Sequence, residues 1–193
     1  EINGGERVNT MITDTSLRRK LGDKIVKSQE LFKLAEKISH VGSWELDLQT
    51  NKMVWSDELY RILGFTPGEF EPTNERRFSL IHEEDRDKVS AINKKAIETG
   101  EEYFFEKRIF HCDGSVRQIF SQGKVEKDEH GIARKLVGIY KDVTKEKELH
   151  ENLQQSEAYF KGAFHYSAID MTLLGVNDRW KEVNAFICKR IGY

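Results

Sequence analysis

Histidine side chains are the first candidates for chemistry in this chain, because a ring nitrogen of histidine can bind a metal ion or a haem iron. His82 is the most tempting of them. Three others, His40, His111 and His130, fall at a predicted strand start or at predicted turns, and no second soft ligand stands at a useful spacing. The sequence therefore predicts no metal site.

Carboxylates and thiols offer no catalytic pattern either. The 33 acidic residues alternate with 31 lysines and arginines along predicted helices, which indicates solvent-exposed faces rather than a paired acid and base. The two cysteines, Cys112 and Cys188, lack the spacing of a metal or redox motif. Two thiols without a pairing pattern are typical of a reducing cytosol.

Charge and hydropathy restrict the partners. A formal net charge of −2 gives no general attraction to phosphate backbones or anionic membranes, so nucleic acid is not an expected partner. No stretch of the chain approaches the roughly 20 apolar residues of a membrane span. A cytoplasmic location without direct membrane contact is expected, and an anchor upstream in a longer parent protein is compatible with it.

The chain repeats itself. Residues 21–65 return without a gap as residues 149–193, at a constant offset of 128 positions. Such self-similarity marks a tandem array of one structural unit, so the sequence predicts one whole unit and a fragment of a second over residues 167–193. Identical pairs include Leu21 and Leu149, Phe32 and Phe160, Leu46 and Leu174, and Gly64 and Gly192.

Two helical seams share the frame of this repeat. Residues 1–15 show no periodicity and are predicted to form a flexible lead-in, whereas residues 16–39 carry apolar or small residues spaced alternately four and three. This first seam is equally typical of a coiled coil and of a lone amphipathic helix lying on its own domain. The seam over residues 144–166 connects two domains, which favours a parallel two-stranded coil; its positions are Leu149, Leu153, Ser156, Phe160 and Ala163.

The elements between the seams belong to the α+β class. Alternating residues 44–48, turn residues 49–52 and residues 53–55 predict a β-hairpin. A short helix capped by Ser56 or Asp57 should end at Gly64, and a second helix should begin at acidic residues 83–85 and stop at Gly100. Three strands over about residues 103–111, 116–127 and 133–142 come next. This order predicts one antiparallel sheet with helices on one face.

These residues resemble a PAS sensor domain, a family common in multi-domain bacterial signalling receptors. The resemblance, which includes the PAC motif, places the domain at residues 40–143. It implies a five-stranded antiparallel sheet with helices over one face, a turn-organising role for His82, and the start of a second PAS domain at residues 167–193. Lys107 and Ile119 depart from the family, which usually has an aromatic residue and a tryptophan there. The matching motifs include Gly42-Ser43-Trp44-Glu45-Leu46-Asp47, His82-Glu83-Glu84-Asp85-Arg86, Glu106-Lys107-Arg108, Asp113-Gly114-Ser115 and Asp142-Val143-Thr144.

The resemblance also implies where a signal would pass. Asp142 and Thr144 lie where the last strand meets the connecting helix, and either side chain can accept hydrogen bonds from the first-turn amides of that helix. A plain N-cap and a cap that also transmits a signal to Leu149, Leu153 and Phe160 are equally favoured. Candidates to line an apolar interior space are Trp55, Tyr60, Phe78, Phe105, Ile109, Gly123 and Gly138, although simple core packing is the favoured interpretation.

The function that the resemblance implies is a sensory and dimerisation module of a bacterial signal-transduction protein, in this family most often a sensor histidine kinase. The expected partners are a second copy in a parallel homodimer and an output domain in the same chain. A small-molecule ligand is left open, whereas haem and flavin are not expected. His150-Glu151 lacks the residues that come after a kinase phospho-acceptor, so no catalysis is expected of this chain. The alternatives are the sensor part of a diguanylate cyclase and a purely structural scaffold.

Overall fold

The computed structural model describes residues 5–175 and 180–192, and it describes side chains from residue 18 onward apart from that of Trp180. The chain divides into two compact units, residues 1–143 and residues 144–193. Residues 1–4 of the predicted lead-in, and residues 176–179 and 193 of the predicted second repeat, lie outside the described residues.

Unit 1 (residues 1–143) begins with a long helix and continues with strands and helices in the predicted order. Its helices are α1 (Gly5–Ser39), α2 (Asp57–Ile62), α3 (Asn74–Ser79) and α4 (Glu83–Thr99), and its strands are β1 (Val41–Asp47), β2 (Met53–Trp55), β3 (Tyr103–Phe110), β4 (Val116–Lys127) and β5 (Ala133–Asp142).

The five strands form one sheet in the order β2-β1-β5-β4-β3, in which all neighbours are antiparallel. The last strand in the chain, β5, is therefore the central strand and pairs with β1 on one side and with β4 on the other. The register sets Trp44 opposite Gly138 and Val41 opposite Lys141. This topology confirms the predicted five-stranded antiparallel sheet.

The core lies between one face of the sheet, called here the inner face, and the short helices. Strand β1 alternates between partly exposed and buried residues, so its buried Trp44 and Leu46 share the inner face. Leu59 and Leu63 of α2 pack into the same apolar cluster. The predicted cap of α2 is present, since the Ser56 side chain accepts a hydrogen bond from the Leu59 amide at 3.3 Å.

Two helices differ from the prediction. Helix α1 begins at Gly5 and not at Ser16, so residues 5–15 of the predicted lead-in are helical. This segment contains no proline, and a helix that has been nucleated extends at little cost over such residues. Helix α3 contains a single apolar residue, Phe78, and so shows no helical period in the sequence; it is capped by the Thr73 side chain.

Unit 2 (residues 144–193) contains helix α5 (Thr144–Tyr166), a hairpin of β6 (Thr172–Leu174) and β7 (Trp180–Val183), and helix α6 (Ala185–Ile191). Asn184 caps α6 and Gly192 ends it at φ 85°, just as Ser56 caps α2 and Gly64 comes after α2 at φ 88°. Hairpin and capped helix thus recur at the offset of the sequence repeat. A second PAS domain stays a prediction.

None of the helices in the described part of the chain has both the length and the apolar character needed to cross a membrane.

Candidate functional site

A lysine, an arginine and a tyrosine meet in the interior of unit 1. Lys107 on β3 donates from Nζ to the hydroxyl of Tyr140 on β5 at 2.5 Å, and Arg77 on α3 donates from Nη1 to the same oxygen at 3.0 Å. The exposed fractions are 2 % for Lys107, 4 % for Arg77 and 1 % for Tyr140. These three residues are called the interior cluster below.

The interior cluster has perturbed protonation equilibria. Burial disfavours the charged ammonium and lowers the pKa of Lys107 to about 8. Burial raises the pKa of Tyr140, but the charges of Lys107 and Arg77 and the hydrogen bonds from both outweigh this effect and bring that pKa down to about 8. Because the two groups share a hydrogen bond, they titrate as a pair.

Aromatic rings support the two cations. The Arg77 guanidinium lies 4.7 Å from the centroid of the Trp44 ring, and the Lys107 ammonium lies 3.8 Å from the centroid of the Tyr140 ring. Trp44 also meets Tyr140 edge to face, with centroids 6.0 Å apart. Cation–π attraction offsets part of the desolvation of both charges, so aromatic residues help to hold them in the core.

A cavity of about 350 Å³ opens between α3 and α4. Arg77 and Phe78 line it from α3, and Ser90, Asn93 and Lys94 line it from α4. The Nε atom of Arg77 is buried and has no hydrogen-bond partner among the described residues. Through Arg77, this cavity therefore borders the interior cluster.

The residues predicted to line an interior space do not surround one common cavity. Trp55, Tyr60 and Ile109 are buried in the apolar core, and Phe105 packs against that core while partly exposed. Phe78 borders the cavity between α3 and α4. Strand alternation and helix packing therefore divide the predicted set between core and cavity.

Gly123 and Gly138 do not leave room inside the sheet, which corrects the expectation for them. A Cβ atom on Gly138 would lie 2.7 Å from the Gln122 carbonyl oxygen and 2.8 Å from the Trp44 ring. A Cβ atom on Gly123 would clash with the Tyr103 hydroxyl. Glycine is needed at both positions because neighbouring side chains occupy the space.

A larger groove, of about 1040 Å³, lies between α1 and the outer face of the sheet, opposite the inner face. Helix α1 contributes Phe32 and Glu36, and the sheet contributes Val137 and Ile139. The groove is thus lined by both charged and apolar side chains. Three of the residues that were predicted to line an interior space also border this groove: Trp55, Gly123 and Gly138.

Helix α1 is attached to the sheet near its C-terminal end. The Ser43 hydroxyl on β1 donates to the Glu36 carboxylate at 2.5 Å, and Glu36 is only 8 % exposed. The large apolar side chains of the first seam on α1 are exposed, namely those of Leu21, Ile25 and Phe32.

Two of the predicted transmission residues, Asp142 and Thr144, lie where β5 meets α5, and the other three lie along α5. Strand β5 ends at Asp142 and helix α5 begins at Thr144, so a single residue separates the two elements. The side chains of Leu149, Leu153 and Phe160 are all exposed on α5. A role for these five residues in transmitting a signal stays a prediction.

His82 and Asp85 form the junction between α4 and β3. The His82 amide donates to the Arg108 carbonyl at 3.0 Å, and the His82 ring stacks on Phe110 with centroids 5.2 Å apart. The Asp85 carboxylate accepts from the Arg108 amide and from the Arg108 guanidinium, each at 2.7 Å. The guanidinium bonds hold the pKa of Asp85 below its usual value. His82 therefore occupies a structural turn.

Sequence reasoning missed the interior cluster. Lys107 gave a signal, because an alternating strand places it on the buried face where a lysine is unexpected. Arg77 and Tyr140 gave none, since 63 residues separate Arg77 from Tyr140 and 33 separate Lys107 from Tyr140 along the chain. Only the folded sheet brings them together.

Neither thiol belongs to the buried core of unit 1. Cys112 is exposed on the turn between β3 and β4, with Sγ 2.8 Å from the Gly64 carbonyl oxygen, and Cys188 belongs to unit 2. The residues present therefore do not fit a flavin that reacts with an interior cysteine. Among the described residues, no group of three or more histidine, cysteine or acidic side chains is placed to hold a metal ion.

The sequence of this chain is similar to those of known sensor proteins. The family model of the PAS fold matches residues 52–140. The sensor protein FixL of Bradyrhizobium diazoefficiens is 30% identical over 126 residues, which are 65% of this chain and 25% of that protein. A blue-light-activated histidine kinase of Brucella ovis is 30% identical over 136 residues, which are 70% of this chain and 27% of that protein. The chain thus spans about a quarter of the length of these curated relatives.

A solved structure shares the fold. The crystal structure of a sensory box histidine kinase/response regulator from Burkholderia thailandensis has 28% sequence identity and a TM-score of 0.56, and the match covers 67% of this chain and 97% of that one. The central position of β5, the helices over the inner face and the family match agree with one another. Unit 1 of this chain therefore belongs to the PAS family, as a sensor domain homologous to those of sensor histidine kinases.

Proposed function

We propose that this chain is a cytoplasmic sensory and dimerisation region of a larger bacterial signalling protein. Its PAS domain receives a cue and biases an output domain in the same chain, while catalysis belongs to that output domain. The two curated relatives and the solved structure favour a sensor histidine kinase as the parent protein. The cue is a small molecule rather than haem or flavin.

One observation carries this proposal: an exposed apolar seam begins a few residues after the central strand. Leu149, Leu153 and Phe160 are 61 %, 58 % and 49 % exposed, and they recur at heptad spacing on α5. Apolar side chains at such spacing are buried when two parallel helices form a coiled coil. The seam therefore supports a parallel homodimer in which α5 of each copy pairs with the other.

The proposed signal is a change in the twist or register of this coil. A cue bound to the PAS domain must favour one arrangement by a differential free energy, typically about 1–3 kcal/mol in allosteric proteins. Asp142 and Thr144 are the proposed transmission point, because a shift of β5 also shifts the residues that start α5.

The test replaces the seam with polar residues. Leu153→Ser combined with Phe160→Ser removes two apolar knobs from the coil, and we expect the dimer measured by multi-angle light scattering to become a monomer. The matched control, Gln154→Ser with Lys161→Ser, changes the residue after each seam position and should leave the dimer intact. An unchanged dimer in the seam variant contradicts the proposal.

A purely structural scaffold is the second candidate, and the filled space at Gly123 and Gly138 is the observation that favours it. A scaffold pairs subunits but binds no cue. Native mass spectrometry of protein purified from its own host distinguishes the two, because a retained small molecule supports sensing. Protein that stays ligand-free in host extract and dimerises normally supports the scaffold.

A further inference from the structure

The interior cluster places two cations in the core without a carboxylate beside them. Arg77 and Lys107 are at least nine-tenths buried, and a buried charge is unfavourable unless a counter-charge or hydrogen bonds compensate for it. Among the described residues, the hydrogen-bond acceptors for the two side chains are the Tyr140 hydroxyl and, for Arg77 alone, the Asn74 side chain at 2.9 Å. None of these acceptors is a carboxylate.

Asp85, which attracts Lys107, and Glu98, which lies on the cavity wall, each face another cation. Asp85 attracts Lys107 electrostatically, but its carboxylate is bound by the Arg108 guanidinium at 2.7 Å. Glu98, on the wall of the cavity between α3 and α4, lies 4.0 Å from the Lys94 ammonium. Among the described residues, Arg77 therefore has no anionic hydrogen-bond partner.

One hydrogen-bond donor of Arg77, a residue of the cavity wall, is left unused. Nε of Arg77 has no partner among the described residues, while Nη1 and Nη2 are occupied by Tyr140 and Asn74. Guanidinium groups bind carboxylates strongly because parallel N–H groups match the two oxygens. Ser90 and Asn93 add further donors on the opposite wall.

The cavity also has room and an apolar side. Its volume of about 350 Å³ lies within the range of about 300–1,000 Å³ found for small-ligand sites. Phe78 and Ile97 line it and can cover a short hydrocarbon body. The charge of Arg77, its unused Nε donor and the volume of the cavity all favour a small anionic ligand.

We propose that the cavity between α3 and α4 binds a small carboxylate with a short apolar body, whose carboxylate oxygens accept hydrogen bonds from Arg77 and whose charge balances the interior cluster. The inference rests on the proposed sensory function, because this molecule would be the cue. A ligand bound to Arg77 would act on Tyr140 through the hydrogen bond between these two side chains. Tyr140 lies on the central strand β5, two residues before Asp142.

The test compares carboxylates with neutral amides of the same shape. Acetate, butyrate and benzoate are titrated against acetamide, butyramide and benzamide, with thermal unfolding and calorimetry as readouts. We expect at least one carboxylate to raise the melting temperature and to bind about tenfold or more tightly than its amide, since a charge-assisted bond is lost in the amide. Equal stabilisation by both members of every pair, or by neither, overturns the proposal.

Variants locate the site. Arg77→Met and Lys107→Met should each weaken carboxylate binding about tenfold or more, whereas Lys88→Met, an exposed lysine of α4 outside the interior cluster, should leave the binding unchanged. Sodium chloride and sodium sulfate at equal ionic strength serve as controls, and equal stabilisation by them argues against a carboxylate site. The comparison of each acid with its amide uses the unaltered protein, so it holds even where a variant fails to fold.

Failure of this site is distinguishable from failure of the proposed function. If no carboxylate binds but the seam variant still loses its dimer, only the ligand class is wrong. If a carboxylate binds but the seam variant remains dimeric, the site stands and the coiled-coil mechanism falls.

Discussion

Lys107 and Tyr140 share a buried hydrogen bond, and this bond couples their protons to the stability of the fold. Both groups have a pKa of about 8 in the folded protein, below the values near 10.5 and 10 that lysine and tyrosine have in water. Between pH 8 and 10, the folded chain therefore holds fewer protons at this pair than the unfolded chain does. Stability rises with pH wherever the unfolded state binds more protons.

Because the two groups titrate as a pair, the loss of one proton disfavours the loss of the other, and only about one proton is released. The free energy of unfolding should accordingly rise by about 1–2 kcal/mol between pH 8 and pH 9.5, since one proton contributes at most about 1.4 kcal/mol per pH unit. Denaturant titrations at several pH values measure this rise. The pKa of Tyr103 is raised by burial and by the charge of Tyr140, which acts in the opposite sense above pH 10, so the measurement stops below that pH. A flat or falling profile contradicts the assignment.

Lys107→Met is the matched variant for this measurement. It keeps an unbranched side chain in the core, and replacing buried charge by an apolar group is often neutral for stability. Without the ammonium, the rise between pH 8 and pH 9.5 should be lost. A variant that keeps the full rise would place the titrating group elsewhere in the chain.

An ion pair between Asp85 and Arg108 joins helix α4 to β3. Arg108 also pairs with Glu84, and the geometry indicates that the Asp85 pair is the stronger of the two. The Asp85 carboxylate is 16 % exposed and lies 2.7 Å from the Arg108 guanidinium, whereas the Glu84 carboxylate on the same guanidinium is 72 % exposed. Exposed ion pairs contribute little, while a mostly buried carboxylate that also accepts a backbone hydrogen bond contributes more.

Asp85→Asn should therefore lower the free energy of unfolding by about 1–3 kcal/mol, and Glu84→Gln should change it by less than about 0.5 kcal/mol. Because Arg108 depresses the pKa of Asp85, its stabilisation is present above the unfolded pKa near 4 and is lost as the pH falls through the folded value. Asp85→Asn should thus also flatten the acid limb of the stability curve. Urea titrations at pH 7 and pH 3 check both points, and equal losses in the two variants would contradict them.

The elements show which parts of this fold a sequence can predict. The hairpin of β1 and β2, the cap at Ser56 and the turns at Asp113-Gly114 and Gly131 arise from local residue types, and the structure has them all. Helix α3 was not predicted because Phe78 is its only apolar residue, so its sequence carries no apolar period. The start of α1 was misplaced because a polar segment without breakers gives no signal of where a helix begins.

The candidate site was predictable only in part, for a related reason. Strand alternation finds Lys107 on the inner face, yet it cannot name the group that the ammonium meets there. Arg77 bonds to Tyr140 from helix α3, which was not predicted. The space beside Gly123 is occupied by the Tyr103 side chain, and the space beside Gly138 by the Trp44 side chain, both from other strands. Contacts of this kind depend on the assembled five-stranded sheet and not on local pattern.

The order of strands makes the sheet of unit 1 depend on its last strand, β5, and all five strands belong to unit 1. A chain ending at Val143 keeps all five strands of the sheet, so we expect it to retain a single cooperative thermal transition. A chain ending at Lys127 lacks β5, which separates the pair β2-β1 from the pair β4-β3, and it should show no such transition. Circular dichroism melts compare the two; a folded shorter chain would contradict the central role of β5.

The position of β5 also bears on how the protein folds while a ribosome is making it. Val41 pairs with Lys141, so β1 leaves the exit tunnel long before its partner has been translated. At about 5–20 residues per second, the early hairpin waits several seconds with one edge open, and the nascent chain is then a natural client for chaperones that shield unpaired strands.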